Sequence, residues 1–155
     1  MISYDNNKNN PPSIIVCIDT TNASEKALEY ACFQAKNHNF NLEILAVIEA
    51  SHKNLLFGAQ AISRQKRQQM EKYLKKLING ICLEYEINPA ISMREGEISH
   101  EIILQLKNSP NCQMIIFGKS CNSLSDNTVL PKIVSKIGSK IMVPVVIIPE
   151  NFVKL

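Results

Sequence analysis

The sequence lacks the local motifs that identify most enzymes and metal proteins. It has no Gly-x-Gly-x-x-Gly after an apolar run and no Gly-x-Ser-x-Gly, which excludes the common dinucleotide fingerprint and the nucleophile elbow of hydrolases. Its five cysteines include no Cys-x-x-Cys pair, and its three histidines are widely dispersed. We therefore expect no metal site, no disulfide framework and no catalytic residues.

Long apolar runs and a strong charge bias are also missing. The apolar run at residues 143–149 is far too short to cross a bilayer. The net charge is only +3 and the basic residues are scattered, so we expect neither a membrane nor a specific nucleic acid as partner. The first ten residues are polar and match no leader pattern, so we expect a cytoplasmic protein.

Short apolar runs alternate with helical periodicities along the 155 residues. The runs predict strands near residues 13–19, 42–48, 89–94, 112–117 and 144–148. Asn22 or Ser24 is the predicted cap of the first helix, residues 50–61 are a predicted loop, and Ile141 belongs to the last helical stripe. The order βαβαβαβαβ predicts one doubly wound α/β domain with a five-stranded parallel sheet at residues 13–150, between an arm (1–12) and a tail (151–155).

Ligands of doubly wound sheets bind beyond the carboxyl ends of the strands. The segments to inspect are therefore residues 19–21, 47–49, 94–96 and 118–131. Gly118-Lys119-Ser120 looks like the end of a phosphate-binding P-loop, but Gln113 stands where that motif needs its first glycine. A phospho-accepting receiver domain would need an acidic cluster after the first strand, where Asp19 stands alone.

Eight segments carry a resemblance to one known family: residues 14–21, 27–31, 42–48, 94–97, 101–103, 114–118, 132–137 and 143–149. In sequence and in the order of elements they resemble the universal stress proteins, and the likeness covers most of residues 13–149. This resemblance implies a small stress-response protein that carries no catalysis of its own.

The ATP-binding members of that family carry Gly-x-x-Gly, nine residues, then Gly-[Ser/Thr] after the fourth strand. Laid on this sequence, the pattern gives Gly118, Cys121, Pro131 and Lys132, so one position of four is kept. Cys121 adds a side chain where the backbone has to approach phosphates, and Pro131 has no backbone N–H to donate. The degenerate motif predicts that ATP is not bound and that the protein has no cofactor.

The resemblance also supports a second hypothesis, a switch that binds AMP or ATP with altered phosphate contacts and changes the 50–61 loop. Asp19 and Val47 match the positions that contact adenine in the nucleotide-binding members, and Thr20 follows Asp19. Three lysines offer positive charge in place of the glycines: Lys119, Lys132 and Lys136. The competing interpretation is that these lysines are solvated surface residues.

In this family the last strand commonly pairs with its counterpart in a second copy. Val143, Val145 and Ile147 are accordingly the predicted interface of a homodimer, because a bare apolar edge strand promotes aggregation. The alternative is that Phe152 and the tail cover this edge. Our first hypothesis is a homodimeric interaction module with further protein partners that the sequence does not identify.

Overall fold

The computed structural model describes residues 11–49, 58–120 and 129–153, without the side chains of residues 59 and 129–132. This part of the chain contains five strands, β1 (Ser13–Cys17), β2 (Asn41–Glu49), β3 (Ala90–Gly96), β4 (Cys112–Lys119) and β5 (Val145–Pro149). Its α-helices are α1 (Asn22–His38), α2 (Ala59–Leu77), α3 (Ile98–Asn108) and α4 (Val129–Ile137), and a π-helical turn, Ile78–Cys82, continues α2.

All strand pairs described are parallel, and the sheet has the order β3-β2-β1-β4-β5. Alternate strand residues build two cores, one on each face of the sheet. Ile14 and Ile116 pack toward α1 and α2, whereas Ile15 and Ile115 pack toward α3 and α4. The predicted doubly wound α/β fold is confirmed.

The start of α1 differs from the prediction. The helix begins at Asn22 with Thr21 at its N-cap, and no side-chain hydrogen bond caps it. Ser24 is buried, and its hydroxyl bonds back to Asp19. Neither predicted residue therefore acts as the cap, because the turn before the helix engages the Ser24 hydroxyl.

The end of the chain also differs in detail. Helix α4 ends at Ile137, and the N–H groups of Lys140 and Ile141 both donate to the Ile137 carbonyl at 2.8 Å, which closes a turn. Ile141 was wrongly assigned to the helix, although it still packs against the α3/α4 core. The strand β5 begins at Val145, so Val143 precedes it and packs partly buried against the same core.

The loop predicted at residues 50–61 is shorter than expected, because helix α2 already begins at Ala59. Strand β4 extends to Lys119, two residues beyond the end predicted near residue 117. Residues 50–57 and 121–128 lie outside the described part of the chain, and so does most of the predicted arm. Within the described ranges, no helix has the length and apolar character needed to cross a membrane.

Candidate functional site

The carboxyl ends of β1 and β4 lie side by side in the middle of the sheet. From β1 the chain crosses through α1 to β2, whereas β4 is the neighbour on the opposite side. The strand order therefore has its switch point between these two strands, which is where doubly wound sheets bind ligands. The sequence-predicted residues Asp19, Thr20 and Gly118 all follow or end these strands.

Asp19 organises the turn between β1 and α1. Its Oδ1 accepts hydrogen bonds from the Thr21 N–H at 2.8 Å, from the Thr21 hydroxyl and from the Ser24 hydroxyl at 2.6 Å. The Asp19 N–H in turn donates to Ser24 Oγ at 2.8 Å. One carboxylate oxygen is thus committed to holding the turn, and no described residue donates to the other oxygen, Oδ2.

Gly118 packs against the first turn of α1. A Cβ built at position 118 would overlap the Ala23 carbonyl and would come within 2.9 Å of the Ser24 nitrogen. Both are backbone atoms of a helix, so they have little freedom to move aside. The requirement for glycine at this position is therefore explained by packing between β4 and α1, without a phosphate.

The backbone of Val47 lies beside the same turn. Strand β1 follows β2 only as far as Leu45, whose carbonyl accepts the Ile18 N–H at 2.9 Å. Residues two apart in a strand direct their backbone groups to the same neighbour. The N–H and C=O groups of Val47 therefore point toward the β1 side of β2. At this level β1 has already ended, and the chain has turned toward Asp19.

The lysines suggested as phosphate ligands have different surroundings. Lys136 lies 3.2 Å from Glu97 Oε1 and forms an ion pair with it. Lys119 is exposed at the end of β4, and its carbonyl accepts the Glu150 N–H at 2.9 Å. Lys132 is in α4, but its side chain is not among those described. The described geometry thus brings Asp19, Val47 and Gly118 to the carboxyl ends of the central strands, whereas Lys136 is paired with Glu97.

Glu97 is the N-cap residue of α3, and its carboxylate binds three donors. Its carboxylate accepts from the Ser99 hydroxyl at 2.8 Å, from the His100 N–H at 2.9 Å and from Lys136 Nζ at 3.2 Å. These interactions, led by the Ser99 hydrogen bond, lower the pKa of Glu97 to about 2. The carboxylate consequently stays charged at the N-terminus of α3, where negative charge is favourable.

Tyr73 also lies near the site, although it belongs to none of the sequence motifs described above. Its hydroxyl, carried by α2, lies 3.4 Å from the Thr21 carbonyl and 3.4 Å from Glu25 Oε1. Burial, together with the Glu25 charge, raises the pKa of Tyr73 to about 12. No local pattern connects Tyr73 to Thr21, because 52 positions separate them in the chain.

Metal-binding side chains form no cluster among the described residues. Across residues 11–49, 58–120 and 129–153, no three His, Cys, Asp or Glu side chains come close enough to hold a metal ion. The expectation that the whole protein binds no metal stays a prediction.

Comparisons with known proteins agree with this architecture. Among solved structures, universal stress protein UspA from Lactobacillus plantarum superposes with a TM-score of 0.75 at 16% identity, covering 90% of this chain and 98% of that chain. A universal stress protein from Archaeoglobus fulgidus in complex with dAMP gives a TM-score of 0.62 at 11% identity, covering 88% of this chain and 97% of that chain. A universal stress protein in complex with cAMP gives 0.56 at 14% identity, covering 92% and 99%.

These structural likenesses concern the fold, since the sequence identities are low. Among curated proteins, none matches this chain. The model of the universal stress protein family matches residues 12–149, which include all five described strands. The chain therefore belongs to the universal stress protein family.

Proposed function

We propose that this chain acts in the cytoplasm as a homodimeric stress-response module that engages other proteins, without catalysis and without binding ATP. The observation that carries the proposal is the exposure of apolar side chains on the edge strand β5. Val145 and Ile147 are 38% and 42% exposed although they belong to an apolar strand. A second copy of β5 is a suitable cover for such an edge.

The backbone of β5 supports antiparallel pairing with that copy. The Pro144 carbonyl accepts the Ile115 N–H at 3.0 Å, so even-numbered residues direct their backbone groups to β4. Val145 and Ile147 consequently direct their N–H and C=O groups away from the sheet, toward a partner strand. Their side chains lie on the α3/α4 face, because their register partners Ile115 and Phe117 belong to that core.

The tail supports the same interpretation. Phe152 packs edge-to-face on Tyr30 of α1, with ring centroids 6.0 Å apart. This contact draws residues 151–153 toward α1. A tail that covered the β5 edge would instead have to run along β5. The described part of the tail thus favours a dimer over a self-covered edge.

Two contacts support the proposal that ATP is not bound. Gly118 is a glycine for packing reasons, and Lys136 is paired with Glu97. Cys121 and Pro131 replace two further glycines of the family pattern. Each hydrogen bond to a charged phosphate contributes about 1.5–3 kcal/mol, so several missing donors weaken triphosphate binding by orders of magnitude.

Sedimentation velocity of the 155-residue chain tests the dimer. We expect a dimer for the parent and a monomer for Val145→Lys and Ile147→Lys, because each substitution brings like charges together across the two-fold axis. Ile91→Lys is the matched control, since Ile91 is 48% exposed on the opposite edge strand, β3. A monomeric parent, or β5 variants that remain dimeric, would refute pairing through β5; circular dichroism establishes that the variants are folded.

A second candidate function is a switch that binds a nucleoside monophosphate. Asp19 Oδ2 accepts no bond from the described residues, and the backbone of Val47 points toward the Asp19 turn. A carboxylate oxygen beside backbone groups suits an adenine, which has both donors and acceptors on one edge. Relatives of this fold have been solved with dAMP and with cAMP, neither of which carries a triphosphate.

Isothermal titration calorimetry separates the two candidates. If the protein is an interaction module that does not bind ATP, we expect no heat with Mg-ATP. If it is a nucleotide-binding switch, we expect AMP to bind and Asp19→Asn to abolish that binding. This substitution keeps an acceptor for Thr21 and Ser24, while it replaces the second oxygen with an NH₂ donor. Micromolar binding of ATP would contradict the first candidate, and no heat with AMP would remove the second.

A further inference from the structure

Two cysteine sulfurs lie against each other in the core, independently of the site and of the dimer edge. Cys32 of α1 and Cys82 of the π-helical turn have their Sγ atoms 3.6 Å apart. Both residues are fully buried, and they are 50 positions apart in the chain. Both are free thiols in this structure.

The π-helical turn directs Cys82 toward α1. In this turn the Leu83 N–H donates to the Ile78 carbonyl, and the following Ile87 N–H donates to the Cys82 carbonyl at 2.9 Å; both bonds span five residues. In a regular α-helix, Ile81 would lie on the same face as Leu77, because it follows Leu77 by four residues. Here Ile81 is only partly buried, while Cys82 reaches full burial beside Cys32. π-helical turns of this kind occur frequently at functional sites.

The two thiols are not equivalent. The Cys32 thiol donates a hydrogen bond to the Cys82 sulfur. This bond lowers the pKa of the Cys82 thiol, whereas the same bond and burial raise the pKa of the Cys32 thiol. The hydrogen bond thus favours the thiolate at Cys82, and the thiolate is the reactive form of a cysteine.

We propose that Cys32 and Cys82 are a modification site, at which a small hydroperoxide oxidises the two thiols to a reversible intramolecular disulfide. The Cys82 sulfur attacks a peroxide oxygen, the O–O bond breaks, and a sulfenic acid and one water or alcohol are formed. The Cys32 sulfur then attacks the Cys82 sulfur, the S–O bond breaks, and the hydroxyl leaves as water with the Cys32 proton. The two thiols together lose two electrons and two protons, and the peroxide is reduced.

The geometry requires only a small movement. An S–S bond is about 2.05 Å long, so the sulfurs have to approach by roughly 1.5 Å. The oxidant has to be small because both residues are fully buried. The other cysteines described have different neighbours: the Cys112 thiol donates to the Met114 carbonyl at 3.2 Å, and Cys17 lies partly buried in β1.

In the test, the reduced 155-residue chain is treated with hydrogen peroxide and unfolded in the presence of iodoacetamide, and its peptides are mapped by mass spectrometry. We expect two of the five cysteines to resist alkylation, a linked peptide pair that contains Cys32 and Cys82, and recovery of both thiols with dithiothreitol. Cys32→Ser and Cys82→Ser abolish the linked pair, and Cys17→Ser and Cys112→Ser, the matched controls, retain it.

Other products would overturn the proposal. These are full alkylation of all five cysteines, a link that involves another cysteine or a second chain, or Cys82 converted only to sulfinic or sulfonic acid. If a core variant fails to fold, the peptide map of the parent decides the question without it. None of these outcomes depends on dimer formation or on nucleotide binding.

Discussion

Gly118 at the end of β4 lies directly against the carbonyl group of Ala23 in the first turn of α1, with no room for a side chain between them. This approach sets α1 close beneath the carboxyl end of β4. It also places Ser24, the residue after Ala23, where its hydroxyl reaches Asp19. A single glycine thus determines how the central strands and the Asp19 turn fit together.

Replacing Gly118 with alanine is expected to destabilise the fold. The added methyl group overlaps helix backbone, and such overpacking typically costs about 1–3 kcal/mol. The matched control is Gly80→Ala, because a Cβ at Gly80 meets no atom within 4 Å and alanine favours helical backbone. Urea denaturation measures both variants. A Gly118→Ala protein as stable as the Gly80→Ala protein would contradict the close approach.

The ion pair between Arg94 and Glu101 is expected to stabilise the contact of α3 with β3. Arg94 Nε lies 2.6 Å from Glu101 Oε2, and the side chains are only 25% and 12% exposed. Arg94→Met keeps most of the apolar stem but leaves a largely buried carboxylate unpaired, so we expect a loss of about 2 kcal/mol in the free energy of unfolding.

Two further variants establish the cause of that loss. Adding Glu101→Gln to Arg94→Met is expected to recover part of the stability, because it removes the unpaired charge. Lys26→Met breaks a solvent-exposed pair with Glu29, whose side chains are 42% and 46% exposed, and we expect a change below about 0.5 kcal/mol. Equal losses for Arg94→Met and Lys26→Met would disprove the role of burial.

Acid stability is expected to depend on Glu97. Its pKa is lowered from 4.5 to about 2 in the folded protein, so between these values the unfolded chain binds more protons than the folded chain. The stabilisation is therefore present above pH 4.5 and is lost as the pH falls toward 2. Stability curves over this pH range are expected to be flatter for Glu97→Gln. Lys136→Gln is expected to change them less, because the Ser99 and His100 hydrogen bonds contribute more than Lys136. Identical curves for Glu97→Gln and the parent would contradict this account.

Alkaline stability is expected to depend on Tyr73. Its pKa is raised from 10.0 to about 12, since burial and the nearby Glu25 favour the neutral phenol. The stabilisation is fully present below pH 10 and is lost as the pH rises toward 12. Denaturation curves of Tyr73→Phe are expected to fall less steeply over this interval, and the ultraviolet titration of tyrosinate is expected to lose its latest step. A parent that loses no more stability than the variant would show that Tyr73 is not responsible.

Much of the fold was predictable because its signals are local. The short apolar runs and the helical periodicities each depend on a few neighbouring residues, and together they predicted the order of strands and helices. Boundaries differ from the prediction where another hydrogen bond competes with the helix. Ser24 was expected at a cap and instead binds Asp19, and α4 stops at Ile137 because the next amides close a turn.

The amino-acid sequence is therefore sufficient to establish the type and order of the elements, the family, and a glycine motif reduced to Gly118. The contacts that these residues make follow only from the packing of the elements. That packing placed Gly118 against α1, joined Tyr73 to Thr21, and brought Cys32 to Cys82 across 50 positions. The physical reason is that periodicity encodes which face of an element is buried, whereas the partner of a buried atom depends on how separate elements pack.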